Sequence, residues 1–248
     1  MTMSNRITPD ELPWEQLKQW GITRERMEKT GNLDRLLYGN YTRPVTFYRT
    51  DGGQKIEGEA AVRVYRAGDQ WKVDMQTRCE KPSMNDRISI YGTLLPDEQK
   101  KNLLDTGHAG AVTIKDASGK ESQVLVSLNP DTNRTVTFPR QYASLPKEGG
   151  VEGKICGVQM TDEQKAQYMK GEPVLMRGLT NSKGESFDSC VQFSAYERRA
   201  VFTSPEWLRE QKAQEHQQSK AEGEKKGRKA AEHDEAAEEQ QASKGMKR

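Results

Sequence analysis

Two stretches of this chain carry the same features in the same order, and that recurrence constrains the fold more than any single motif. Gly92 to Phe138 and Gly157 to Phe202 each run through a D-E-Q-K string, an apolar helical stripe, a glycine, a short strand, a glycine turn, a second strand and a closing Phe. Asp97 and Asp162, Leu104 and Met169, Gly119 and Gly184, and Val126 and Val191 all lie 65 residues apart, while Gly107 to Gly171 and Phe138 to Phe202 give 64. An offset held across a helix, a turn and two strands points to duplication of one unit. A unit this small buries little apolar surface alone, so neighbouring modules or a partner are expected to complete each core.

Within each copy the hydrophobic period changes from that of a helix to that of a strand. Thr161 and Gln164 form a capping box, which explains the D-E-Q-K string as helix initiation, with Asp162 and Glu163 favouring the positive helix end. Pro96 suits the first turn of the corresponding upstream helix, and Gly107 its stop. Strands follow around 111–114, 123–128 and 135–138 in one copy and 173–178, 187–193 and 199–203 in the other. Asn181-Ser182-Lys183-Gly184 and Ala195-Tyr196-Glu197-Arg198 close the hairpins of the second.

Ahead of the copies, Thr8-Pro9 reads as a cap and first turn, and Leu12, Trp14, Leu17 and Trp20 recur at helical spacing up to Gly21. A second helix starts at Thr23. The pair resembles a helix-turn-helix, with Arg24 and Arg26 on the element that would enter a DNA groove, although Leu17 and Thr30 depart from that pattern. The alternative is a helical hairpin packed on the first sheet. From Arg43 the period is two: Val45 and Phe47, Val62 and Val64, and Trp71, Val73 and Met75 mark three strands of a meander, a divergent first copy of the module.

The fold expected is therefore α+β, with N-terminal helices followed by repeated helix plus antiparallel β-meander modules and a helical or disordered C-terminal tail. The domains read as 1–90 for the helices with the divergent meander, 91–142 for the second module, 143–156 for a linker, 157–203 for the third module and 204–248 for a charged tail. The linker rests on its Pro and Gly content. The tail rests on composition: after Leu208 there is no Val, Ile, Leu, Phe, Tyr or Trp.

The same residues narrow the chemistry. Cys79, Cys156 and Cys190 are odd in number and widely spaced, which supports neither a disulfide framework nor a zinc site. His108 stands alone and reads as a surface or capping residue. No phosphate loop or nucleophile–base spacing appears, so neither an enzyme activity nor a cofactor or metal is expected. The start shows no apolar targeting segment and no run long enough to span a bilayer, so the expectation is a cytoplasmic chain that does not enter membranes.

Charge is nearly balanced, at +2 overall, and nucleic-acid binding would have to be local. Its candidates are Arg24 and Arg26 on the helices, Arg49, Arg63, Arg66 and Arg78 on the first sheet among Tyr48, Tyr65 and Trp71, and the knot Lys225, Lys226, Arg228 and Lys229 in the tail. Aromatic and basic residues interleaved on a sheet can stack bases and hold a backbone. Glu57, Glu59, Asp69 and Asp74 in the same region favour instead a solvated face with cross-strand charge pairs.

The phrases MTDEQKAQYMKGEPVLMRGLTNSKGESFDSCVQFSAYERRAVF and LPWEQLKQWGITRERMEKTGNLDRLLYGNYTRPVTF resemble the unknown-function domains carried by conjugative transposons of anaerobic gut bacteria. The resemblance covers most of residues 10–203 and implies a DNA-processing setting, since related domains occur beside topoisomerase-like proteins. It assigns no catalytic residue. Where that family commonly has an A-D-K-R turn, this chain has Ala195-Tyr196-Glu197-Arg198. The function expected is a non-catalytic accessory or adaptor protein of a mobile element, acting through exposed strand edges on a partner protein, topoisomerase-like or a mobilisation protein. The alternative is direct nucleic-acid binding.

Overall fold

The computed structural model describes residues 7–214 apart from residues 52, 117 and 212. It divides into two units, residues 1–203 and residues 204–248. In the second, the described residues are helical from 206 to 211. The tail knot at Lys225, Lys226, Arg228 and Lys229 lies outside the described residues.

The N-terminal helices are shorter than the apolar spacing suggests. Thr8 caps only a 3-10 turn, Pro9–Glu11, with its N–H and hydroxyl both donating to the Glu11 carboxylate at 2.7 and 2.8 Å. Pro13 forces the preceding Leu12 into extended backbone, at ψ 144°, and breaks the helix there. Helix α1 (Trp14–Lys18) restarts beyond it, followed by α2 (Arg24–Lys29), capped by the Thr23 hydroxyl, and α3 (Leu33–Leu37). Leu17, Met27 and Leu36 on these helices and Ile22 between α1 and α2 are fully buried, each contributing roughly 1.5–3 kcal/mol of apolar burial. Their partners are Val45, Val62 and Val64. The helices are thus a cover for the first sheet.

That sheet is an antiparallel meander of β1 (Val45–Asp51), β2 (Gln54–Ala67) and β3 (Gln70–Thr77). Alternation divides its side chains: Val62 and Val64 face the helices, whereas Ala61 joins Tyr41, Val136 and Tyr196 on the other side. After a hairpin of two-residue strands, β4 (Ser89–Ile90) and β5 (Thr93–Leu94), comes α4 (Asp97–Thr106). A second antiparallel meander follows, β6 (His108–Lys115), β7 (Glu121–Leu128) and β8 (Thr135–Pro139).

The stretch read from composition as a linker carries structure. Residues 147–159 form two hairpins, β9 (Lys147–Glu148) with β10 (Val151–Glu152) and β11 (Lys154–Ile155) with β12 (Val158–Gln159). Gly149 and Gly150 make a hairpin turn where composition suggested a spacer, and Ile155, Cys156 and Val158 pack into the core of the last sheet. Helix α5 (Asp162–Met169) carries the capping box, with the Gln164 N–H donating to the Thr161 hydroxyl and the Thr161 N–H to the Gln164 side chain. The third antiparallel meander is β13 (Val174–Thr180), β14 (Ser186–Ser194) and β15 (Arg199–Thr203).

The three sheets meet at specific side chains. Gln76 of β3 donates to the Tyr41 hydroxyl at 3.0 Å and to the Thr135 carbonyl at 3.3 Å, and accepts from Asn129 and Thr132. The Ser127 hydroxyl on β7 accepts from the Ala195 N–H at 2.8 Å and contacts His108 Nδ1 at 2.8 Å. His108 is therefore buried, not the surface or capping residue its isolation in sequence suggested, and burial pushes its imidazole down to about 4.

Candidate nucleic-acid interface

On the side of the first sheet away from the helices, an open groove of about 1700 Å³ runs toward the second sheet. Tyr38, Tyr65, Tyr91 and Tyr142 line it, and all four are exposed, Tyr91 and Tyr142 at 67% and 68%. Arg63, Lys120, Arg140 and Arg198 bring positive charge to the same surface, against Asp116 and Glu121. Four large aromatic rings in water around one concavity are the kind of exposed apolar surface that marks a binding site.

The three arginines are held differently. Arg63 lies between two rings, 4.8 Å from the Tyr41 centroid and 5.1 Å from that of Tyr65, and its Nη2 reaches Asp74 at 3.5 Å. Cation–π contact and the ion pair hold it in one orientation. Asp74 also accepts from the Tyr41 hydroxyl in a very short hydrogen bond, and burial followed by that bond raises the Tyr41 phenol well above its usual range. Arg140 is engaged by the Met169 carbonyl at 2.8 Å and by the Gln123 side chain. Arg198 donates from Nη1 to the Tyr38 carbonyl at 2.7 Å and sits 5.5 Å from the Phe138 ring centroid. Burial first, and then the charge of Arg63, push its guanidinium down to about 10.

Backbone conformation singles out two lining residues. Tyr91 has φ 48° and Arg198 φ 55°, in the left-handed region that Gly and Asn occupy at far lower cost. Tyr91 opens the β4–β5 turn, and Arg198 ends the turn before β15. A bulky side chain at each position carries a cost of order 1 kcal/mol, the kind of strain that collects at functional sites.

The turn Ala195-Tyr196-Glu197-Arg198 is where the third meander grips the N-terminal segment. Glu197 pairs with Arg35 at 3.3 Å, the Tyr196 hydroxyl donates to Asp131 at 3.1 Å, and the Arg35 guanidinium lies 4.9 Å from the Tyr196 centroid. Burial raises the Tyr196 phenol to about 12. Tyr196 and Glu197 are thus the two groups of this turn that dock it.

The arginines grouped on the first sheet do not share a face. Arg63 stands three residues from Arg66, so the strand period of two sends them to opposite sides. Arg66 lies 4.7 Å from the Trp71 ring and Arg49 4.9 Å from that of Trp20, both rings packing on the helix-side core. Arg78 is exposed beyond the end of β3. On the helices, Arg24 pairs with Asp10 and Glu28 at 2.8 and 2.9 Å. Arg26 donates to the Gly21 and Thr46 carbonyls at 3.4 and 2.7 Å, tying α2 to the outer edge of β1.

That bond and others cover strand edges that were expected to be open. The Tyr48 N–H of β1 donates to the Trp20 carbonyl at 3.0 Å. On β6 the Ala111 N–H donates to the Lys170 carbonyl at 2.8 Å, and its carbonyl accepts from Gln99. On β13 the Thr180 N–H donates to the Cys156 carbonyl at 2.9 Å. An edge already hydrogen-bonded has less to offer a partner strand.

Among the described residues no three His, Cys, Asp or Glu side chains come together as a metal site requires, and no helix is long and apolar enough to cross a membrane. Residues 7–86 match the model of a family described as a protein of unknown function (DUF4099), and residues 153–205 match a second, protein of unknown function (DUF3945). No curated protein and no solved structure matches the chain.

Proposed function

We propose that the chain is a non-catalytic binding protein whose groove holds single-stranded nucleic acid, as an accessory to DNA processing on a mobile element. The observation that carries this reading is the convergence of four exposed tyrosines and Arg63 and Arg198 on one groove. Aromatic faces accept any base by stacking, and neighbouring cations follow the phosphates, which together suit an unpaired strand better than a duplex. The mobile-element setting rests on the resemblance of the two quoted phrases. Duplication of one helix–meander unit, proposed from the 65-residue offset, accounts for α4 and α5 each preceding three consecutive antiparallel strands. With several strand edges occupied, recognition of a partner protein through those edges takes second place.

Fluorescence anisotropy with labelled single-stranded and duplex oligonucleotides at two salt concentrations tests the reading. Tighter binding of the single strand is expected, falling roughly 50-fold between 50 and 200 mM salt for about four phosphate contacts. Replacing Tyr65 and Tyr142 by Ala removes about 1–3 kcal/mol per stacked base. Equal affinity of wild type and the tyrosine variants overturns the groove as the site. Recovery of a specific protein partner by a wild-type chain that binds no oligonucleotide returns the partner-protein reading to first place.

A further inference from the structure

We infer that Arg63 and Arg198 together form a subsite for one phosphate group in this groove. The inference rests on the groove reading and deepens it by naming the group that seats there. Three observations converge on the pair.

The first is unused donor capacity. Arg63 Nε is buried without a hydrogen-bond partner, and the only side-chain hydrogen bond Arg63 makes among the described residues is the 3.5 Å contact from Nη2 to Asp74. Arg198 uses Nη1 on the Tyr38 carbonyl, leaving its other N–H groups for a ligand. A guanidinium carries five N–H donors in a planar fork suited to a tetrahedral oxyanion. Arg140, whose Nε and Nη1 are both taken up by Met169 and Gln123, has no comparable reserve.

The second is charge. Arg63 and Arg198 line one groove, where the charge of Arg63 adds to burial in lowering the Arg198 guanidinium, and the carboxylate beside Arg63, Asp74, is shared with the Tyr41 hydroxyl. Partly buried like charges repel, and an anion between them turns repulsion into two attractions. The third is that Arg198 occupies a left-handed position, φ 55°, where a smaller residue fits at lower cost. Tyr38 and Tyr65 line the same groove, where a base or sugar attached to the phosphate would lie.

The subsite is composite. Arg63 belongs to the segment matching one unknown-function family and Arg198 to the segment matching the other. Neither segment alone contains it, and the docked turn at Tyr196 and Glu197 brings the two together.

Two measurements on the full chain, with circular dichroism to confirm that each variant is folded, test the pair. In thermal melts, inorganic phosphate is compared with chloride at matched ionic strength. Wild type is expected to gain about 3 °C at roughly ten times the phosphate Kd, and Arg63→Gln and Arg198→Gln to gain nothing beyond chloride. In oligonucleotide titrations, each Gln variant is expected to flatten the plot of log K against log salt by about 0.7, the share of one phosphate on a single strand. The double variant flattens it by the same amount, because both arginines hold one phosphate, and Arg198→Lys, which keeps the charge, leaves the slope unchanged. Additive losses in the double variant, or wild-type slopes in both single variants together with no phosphate-specific gain, overturn the subsite even if the groove binds oligonucleotides. A phosphate gain confined to wild type, with no oligonucleotide binding, supports the subsite for free phosphate and removes the nucleic-acid reading.

Discussion

Gly171→Ala tests how the second and third sheets are joined. Gly171 follows α5 with φ 73°, and a Cβ built there would lie 2.9 Å from Gly110 Cα and 2.8 Å from the tip of Leu125. The Gly110 contact is to backbone of β6, at the point where the Ala111 N–H donates to the Lys170 carbonyl, so relief requires moving a strand. An alanine in the left-handed region costs about 1–2 kcal/mol, and the clash adds roughly 1–3 kcal/mol by analogy with overpacking of cores. The reduced freedom of the unfolded chain returns about 0.4–1 kcal/mol. The net destabilisation expected is about 2–4 kcal/mol. Gly184→Ala is the control, since Gly184 has φ 81° with nothing within 4 Å of its would-be Cβ, and only the conformational cost applies. Urea unfolding of wild type and both variants reads the two values directly. If Gly171→Ala costs no more than Gly184→Ala, the close backbone approach is not what joins the sheets.

Three further outcomes follow from individual side chains. His108 has its proton affinity lowered by burial, so the unfolded state takes up its proton first as pH falls. The stability it contributes is intact above pH 6.5 and is lost progressively toward pH 4, by roughly 3 kcal/mol. Its NMR resonance should not titrate between pH 7 and 5, and a normal titration there would refute its burial. Arg26→Ala removes the bonds to the Gly21 and Thr46 carbonyls and should lower stability by about 1–2 kcal/mol in urea unfolding. Oligonucleotide affinity of Arg24→Ala and Arg26→Ala should stay within about twofold of wild type, while a large loss would restore the helices as the DNA-reading element.

The elements were legible because their signals are local. Thr161 with Gln164 specifies a helix start from four residues, the alternation of Val62 and Val64 with Ala61 and Arg63 specifies a two-faced strand, and the loss of large apolar residues after Leu208 marks a segment that cannot form a core. The same alternation separates Arg63 from Arg66, a distinction available in the sequence that a count of basic residues along the strands passes over. Pro13 likewise announces the break in the first helix. The groove was not legible. Arg198 and the Tyr38 carbonyl are 160 residues apart, and Arg35 and Glu197 are 162 apart. No periodicity encodes such neighbours. They meet because each small sheet leaves apolar surface that only another sheet can cover, and Tyr41, Ala61, Val136 and Tyr196 close that junction. His108 is bound into the same junction: Ser127, which contacts its ring, also accepts from the Ala195 N–H of the third meander.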